Sequence, residues 1–443
     1  MDVFATDLTH NAERTNPPRS TLVGRRVVVL GAGMVGVSAA LELQARGAEV
    51  TVFDRRSPGR ETSWGNAGVI ARSSLIPLNN PTLWRSLPGL IGNRRAALRY
   101  DPAFVLRNPR WVLGFLANAR ASAFTQTTEA LDSLIRLSAN SHRRLMSDCG
   151  TAHRVSENGW LLLYRNAAAF ERSAPIRAEM ARFGVDIEIL SQAGLIDLEP
   201  ALKPVFDRAM WVRDSQSVDD PGAVVTAYAN RFVERGGLIE RAEIAWIETT
   251  QGGVTLHGSH GTPHDADLAV VSLGPWARDF LEAQGFHVPM AYERGYHRHF
   301  GGTGDGAQNS GLRRPVHDIA GGFVLSPMKQ GLRLSTGVEI CARDAPRNER
   351  QLAQAEAAAR QVIDLGNAVE EDCWLGSRPT FPDSRPVIGA LPGMANVWAC
   401  FGHQHIGFST GPGSAHLLAD LMERRIPSIP AEPFRPERFI RRR

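Results

Sequence analysis

After a polar N-terminal stretch, the segment Arg26 to Leu30 is apolar from its second residue on, with three β-branched valines, the pattern of a strand buried on both faces of a parallel sheet. A glycine-rich turn follows, then helical periodicity through Arg46, a stop at Gly47 and a second short strand, Glu49 to Phe53. Residues 127–148 place apolar side chains at helical spacing, and so does Ala167 to Phe183. Val218-Asp219-Asp220-Pro221 opens a helix that runs through Arg235 and stops at Gly236-Gly237, after which Leu238 to Ile247 reads as a strand. Val270 to Leu273 is another buried strand. Gly322 to Met328 and Leu332 to Val338 are predicted strands joined by the turn Lys329-Gln330-Gly331, and a last helix spans Ser414 to Glu423. No internal repeat or low-complexity segment interrupts the series.

The opening strand, helix and strand carry chemistry as well as structure. Gly31-Ala32-Gly33-Met34-Val35-Gly36 joins the first strand to the helix, and Asp54 closes the second strand. Gly31 permits the tight turn, and Gly33 lets the backbone approach a pyrophosphate. Gly36 lets helix and strand pack closely, and Asp54 can hydrogen-bond a ribose hydroxyl. Phosphates would sit at the helix N-terminus, where free N–H groups and the helix dipole favour negative charge. All parts fall in register, which predicts dinucleotide binding. Arg55 and Arg56 then fit either a nicotinamide site, where arginine meets a 2′-phosphate, or a solvated basic corner. Two further polar, glycine-bearing segments can face a flat polar ring or be ordinary turns. They are Glu61-Thr62-Ser63-Trp64-Gly65-Asn66-Ala67-Gly68 and Gly402-His403-Gln404-His405-Ile406-Gly407-Phe408-Ser409-Thr410-Gly411-Pro412, the second leading into a helix.

The chain has 443 residues, more than one hydrophobic core usually supports, so two domains are expected. With 50 basic against 46 acidic residues the formal net charge is +4, too small to argue for a nucleic-acid binder. Only Lys203 and Lys329 are lysines, which leaves 48 arginines, so no arginine is informative merely by being present. Cys149, Cys341, Cys373 and Cys400 lie far apart without metal-ligand spacing and are expected as reduced thiols of a cytoplasmic protein. No apolar run is long enough to span a membrane, and residues 1–24 are expected to form a flexible polar tail. Phe104 to Phe124 gathers apolar and aromatic side chains among arginines: core for the most part, with a peripheral contact on the inner face of the cell membrane as the lesser reading.

Five motifs, in order, carry a resemblance. Beside the 31–36 turn and the 61–68 loop stand Val271-Ser272-Leu273-Gly274-Pro275-Trp276, then Gly376-Ser377-Arg378-Pro379 with Pro382-Asp383 and Pro386-Val387-Ile388-Gly389, then the 402–412 loop. From about Arg25 to Met422 the chain resembles the D-amino-acid oxidase family of FAD-dependent oxidoreductases, and within it the bacterial D-amino-acid dehydrogenase-like branch. The resemblance implies a Rossmann-type α/β FAD-binding domain interleaved with an α+β substrate domain built on a mostly antiparallel sheet. It places the first in segments 25–84, 205–288 and 374–443, and the second in 85–204 and 289–373. It also implies non-covalent FAD held by Gly31, Gly33, Met34, Val35, Gly36, Asp54, Arg55, Thr62, Ser63, Asn66, Ala67, Gly68, Ile244, Gly274, Trp276, Gly402, His403, His405, Ile406, Gly407, Phe408 and Ser409.

The reaction so implied is hydride transfer from the α-carbon of an amine-bearing carboxylate, a D-amino acid first, to the flavin N5, giving an imine that water hydrolyses. Such a site must fix the carboxylate, for which the planar fork of arginine is suited. The resemblance points to Arg333 and Arg378 as anchors and to Tyr296, with His297 beside it, as a donor to the carboxylate or a pocket wall. It points to His405 as a group that polarises the ring or steadies negative charge on it. A cyclic imino acid of the hydroxy-D-proline type or an N-methyl amino acid suits the same site, with a quinone, another respiratory carrier or O2 as electron acceptor. A tRNA-modifying flavoprotein is the alternative from a different class; it needs a clustered basic face that a total of +4 does not supply. A nicotinamide-dependent reductase is the third reading and would bind no flavin.

Overall fold

In the computed structural model, residues 20–90, 92–93, 96–259, 261–302 and 311–442 are described. The apolar segment Arg26–Leu30 pairs in parallel with Glu49–Asp54 on one side and Leu268–Val271 on the other. Leu238–Arg241 and Val397–Phe401 extend this sheet in parallel, and Val387–Ala390 closes it as an antiparallel edge, giving six strands. Helices Met34–Ala45, Pro221–Glu234 and Gly407–Met422 bury apolar side chains on one face of the sheet. Burial on both faces is why its central strands lack alternation. The predicted tail is shorter than expected where it can be judged: residues 1–19 lie outside the described residues, but Leu22 is packed into this core.

A second sheet of ten strands is mostly antiparallel. Its centre is Ala291–Phe300, flanked by Gly331–Thr336 and by Trp374–Thr380, and it continues through Phe323–Met328, Val316–Asp318, Trp160–Tyr164, Arg208–Val212 and Ile187–Ser191. One face buries Leu161, Leu163, Tyr296, Leu325 and Leu334 against helix Arg350–Ala359. The other face turns toward the first sheet and forms the floor of a cavity. This is the Rossmann-type sheet with an interleaved antiparallel sheet that the motifs imply. The interleaving is finer than the expected boundaries, since Arg208–Val212 and Trp374–Thr380 join the second sheet. Helix Ala121–Asp148 conversely packs Leu134, Leu145 and Met146 into the core of the first.

Two predicted elements are divided. Ala167 to Phe183 is two helices, Ala167–Arg172 and Ala174–Arg182, because Pro175 cannot bond back to the preceding turn and fits only at a helix start. Leu238 to Ile247 is two strands in different sheets: after Arg241 the chain leaves the first sheet, and Ile244–Thr249 opens a three-stranded antiparallel one. In the 104–124 segment Phe104, Trp111, Phe115 and Phe124 are buried, while Leu106 and Leu113 are exposed. Among the described residues no helix is long and apolar enough to cross a membrane. The four cysteines are free thiols, three of them buried.

Candidate active site

The glycine turn is held open by contacts that only glycine tolerates. Gly31 has φ +106°, and a Cβ there would lie 2.5 Å from the Ser272 carbonyl oxygen. At Gly33 a Cβ would meet nothing nearer than Ser63 Oγ at 3.3 Å, so the backbone is bare toward the cavity. The following helix has no side-chain cap and no acid in its first turn, and Met34 N donates to Ser63 Oγ (3.0 Å). Asp54 accepts from Ala32 N (2.7 Å) and Arg56 N (2.8 Å), one bond per oxygen, which leaves lone pairs for a ribose hydroxyl. Arg55 lies over the Trp276 ring at 4.2 Å and pairs with Glu61 (3.0 Å), so it is engaged within the protein.

This cradle is one end of a cavity of about 1650 Å³, larger than the ~300–1000 Å³ of a common single-ligand site. Its wall contains every residue expected to contact the cofactor except Gly36, Gly68 and Ile406. Gly36 instead packs on the Gly31 carbonyl, the role its motif position implies, and Gly68 packs on the Val218 carbonyl. Ile406 is buried in an apolar cluster with Leu131 and Met210. A second bare helix N-terminus, Gly407–Met422, opens on the cavity through Gly407, Phe408 and Ser409. The long helix Ala121–Asp148 braces it, Ser138 Oγ donating to the Ser409 carbonyl (2.6 Å) and His142 Nε2 bonding the Phe408 carbonyl (2.8 Å). Ser272 Oγ is buried in this wall with no partner among the described residues. Bare glycine backbone, an orphaned hydroxyl and two helix N-termini fit an elongated diphosphate-bearing ligand.

The other end is built on the second sheet. Trp374, Gly376 and Arg378 share one face of their strand, as do Glu293, Gly295 and His297 of the strand beside it, with Glu293 opposite Arg378. Gly295 has no side chain, so the Arg378 guanidinium lies against it; a Cβ would fall 2.5 Å from Nη2. Arg378 closes no ion pair among the described residues, and its one hydrogen bond is a long one to the Gly337 carbonyl (3.5 Å). The surface it keeps is cavity wall. Burial pulls its pKa below the ordinary arginine range, opposed by the Glu293 carboxylate. Glu293 is fully buried; Oε1 accepts from Thr380 Oγ1 (2.8 Å), while Oε2 has no hydrogen bond and lies 3.6 Å from His405 Nδ1. His405 comes here because its loop is tied to the Arg378 strand: Thr380 bridges His403, and Gln404 N donates to the Pro379 carbonyl (2.9 Å).

Three expected substrate residues are elsewhere. Arg333 is 0% exposed and does not line the cavity. It donates to the carbonyls of Trp64 (3.0 Å) and Asn66 and to His299 Nε2 (2.9 Å), which in turn bonds Glu370. Arg333 therefore braces the 61–68 loop from outside the cavity wall, with its Nη2 left without a partner among the described residues. Tyr296 sits on the opposite face of its strand from Glu293, its hydroxyl accepting from Asn348 N (2.8 Å) and Arg294 (3.1 Å). His297 is on the cavity side but covered, stacked on Trp374 (4.7 Å) and beside Trp64 (5.0 Å), and burial holds its pKa well below the ordinary histidine value. His403 reaches the wall with Nε2 bonded to Ser414 Oγ (2.8 Å), and burial lowers its pKa to about 3, so it is neutral. Glu293 and Trp374 were missed. Period-two alternation could have found both, because residues two and four from an anchor share its face.

Residues 26–421 match the DAO family model, whose description is FAD dependent oxidoreductase. The chain belongs to the DAO family of FAD-dependent oxidoreductases. A D-amino-acid oxidase of Bradyrhizobium diazoefficiens is 27% identical over 427 residues, covering 94% of this chain and 99% of that protein. A D-amino acid dehydrogenase of Chromohalobacter salexigens is 29% identical, covering 91% and 97%. Among solved structures, glycine oxidase from Geobacillus kaustophilus superposes with a TM-score of 0.71 at 19% identity, covering 93% of this chain and 98% of that one. At that identity the likeness speaks for the fold. In this DAO-family chain the cofactor is FAD, and the cradle of Gly31, Gly33, Ser63 and Asp54, with the Gly407 helix N-terminus, fits it.

Proposed function

We propose that this DAO-family enzyme oxidises an amine-bearing carboxylate, a D-amino acid first, to the imino acid, which water then hydrolyses to the keto acid and ammonia. The observation that carries the reading is Arg378: a guanidinium without a protein ion-pair partner among the described residues, on the wall of the same cavity as the FAD cradle. A substrate carboxylate supplies the missing partner through two parallel hydrogen bonds. FAD, when bound, supplies the two-electron acceptor. The protein's own groups arrange the rest. Glu293 beneath Arg378 offsets its charge, so the site binds a zwitterion rather than any anion. His405, with Nδ1 toward Glu293, keeps Nε2 free to accept a proton from the substrate ammonium, leaving the amine neutral. Trp374, a wall residue, stacks over His297, with Trp64 beside it. The curated relatives named as a D-amino-acid oxidase and a D-amino acid dehydrogenase, matched over nearly their whole length, support this substrate class.

The test is anaerobic mixing of the purified yellow protein with D- and L-amino acids, cyclic imino acids and N-methyl amino acids. Bleaching of the flavin absorbance by D-amino acids is expected. A flavin that stays oxidised with every member of the panel contradicts the proposal.

A further inference from the structure

The cavity floor changes character across the second sheet. Cross-strand register places Trp374, His297, Ser335, Val324, His317, Leu162 and Met210 in one row on one face. The row begins on the strand that carries Arg378 and becomes apolar as it leaves it. Val324, His317 and Leu162 are half-buried, their remaining surface lining the cavity, whereas Met210 at 0% exposure closes the far end. Trp160 flanks Leu162 and stacks on His317 (5.7 Å), and Ile176 and Ile319 complete the wall. Burial pulls the His317 pKa down to about 4, so at neutral pH this ring is an uncharged aromatic surface. Arg165 and Arg172 also line the cavity here; Arg165 is held by Asp318 at 2.6 Å, and Arg172 is exposed. The result is a mainly apolar lobe, edged by Arg165, Arg172 and Ser173, in the same cavity that Arg378 lines.

We propose that this lobe is the side-chain subsite and that it takes amino acids with a bulky apolar side chain, branched or aromatic, in preference to glycine or alanine. The inference rests on the proposed amino-acid oxidation and deepens it. An empty apolar lobe loses contact and solvation free energy that a matching side chain restores, whereas a methyl group leaves most of it unfilled. The volume supports this, since 1650 Å³ exceeds the range common for one ligand and must hold both cofactor and substrate.

The experiment compares kcat/KM for alanine, valine, leucine and phenylalanine, each in both enantiomers, on the FAD-loaded enzyme. We expect the leucine or phenylalanine enantiomer that reacts to exceed alanine by roughly 10- to 200-fold. Val324→Phe and Ile176→Trp fill the lobe from two sides, and each should lower the large-to-alanine ratio at least about tenfold while the flavin spectrum confirms loaded, folded protein. A wild type that prefers glycine or alanine overturns the subsite, as does a ratio that neither variant moves. If the same variants instead raise the KM of a short-chain quinone acceptor and leave the amino-acid ratio alone, the lobe serves the acceptor and the proposal is wrong. Flavin that no amino acid of any size reduces overturns the parent reading instead, so the two failures are distinguishable.

Discussion

His405 Nδ1 lies 3.6 Å from Glu293 Oε2, the one oxygen of that buried carboxylate without a hydrogen bond. The other oxygen is fixed by Thr380, two residues beyond Arg378 on the adjacent strand. The pair thus couples the loop at the cofactor end to the strand that carries the anchor. Glu293→Gln keeps the shape but removes the charge that faces both His405 and Arg378. It should lower kcat/KM by about 10- to 100-fold with FAD content unchanged. Steady-state kinetics beside a flavin-to-protein absorbance ratio measures both; an unaltered kcat/KM would exclude Glu293 from the reaction.

Arg378→Met removes the proposed carboxylate anchor and should cost about 2–5 kcal/mol in substrate recognition, seen chiefly as a raised KM. Arg378→Lys keeps a point charge without the fork and should fall between. Isothermal or spectral titration shows whether FAD binding is spared, as expected for a residue outside the glycine cradle.

Arg333→Leu should behave differently. Its guanidinium holds the carbonyls of Trp64 and Asn66, so the substitution leaves two part-buried acceptors unpaired, at up to about 1–3 kcal/mol each. The expected signs are weaker FAD retention and a lower thermal midpoint. A variant with normal stability and FAD content but a raised KM would return Arg333 to the substrate site.

Acid should destabilise the protein in two stages. Burial holds His142 at about 4 and His403 at about 3, below the 6.5 of an unperturbed histidine. The unfolded chain therefore binds protons below pH about 6.5 that the folded chain refuses, and stability falls from there toward pH 4. For Glu42 burial acts to raise the pKa, but the bonds from His416 and Arg144 outweigh it and bring it to about 2. Its contribution is present above pH 4.5 and is lost between there and pH 2. Urea midpoints across this range check the sign; midpoints that rise on going from pH 7 to pH 4 would contradict it.

The cofactor end was legible in the sequence because its chemistry is local. Gly31, Gly33, Gly36 and Asp54 lie within one βαβ unit, and each spacing has a steric reason. The substrate end is assembled from residues as far apart in sequence as Glu293 and His405, and its logic is the face of a strand. Arg333 and Arg378 look alike as arginines on strands, yet Arg333 lies beneath the 61–68 loop and Arg378 beside it. Tyr296 and Glu293 are three residues apart, an odd step that puts them on opposite faces, so only one of them could serve the cavity. The split of the 167–183 helix was visible in Pro175, whereas the exchange of strands between the two sheets depends on pairing that no single segment encodes.

We propose that Arg378 fixes the carboxylate of an amino acid in the cavity that holds FAD. The most direct measurement is anaerobic titration of the flavin absorbance with a reactive amino acid and with the corresponding amine that lacks the carboxylate, in wild type and in Arg378→Met. The wild type should be bleached by the amino acid at concentrations at least about 100-fold below those needed for the amine, and Arg378→Met should largely lose this discrimination. Equal bleaching of the wild type by acid and amine, or discrimination that survives the substitution, would contradict it.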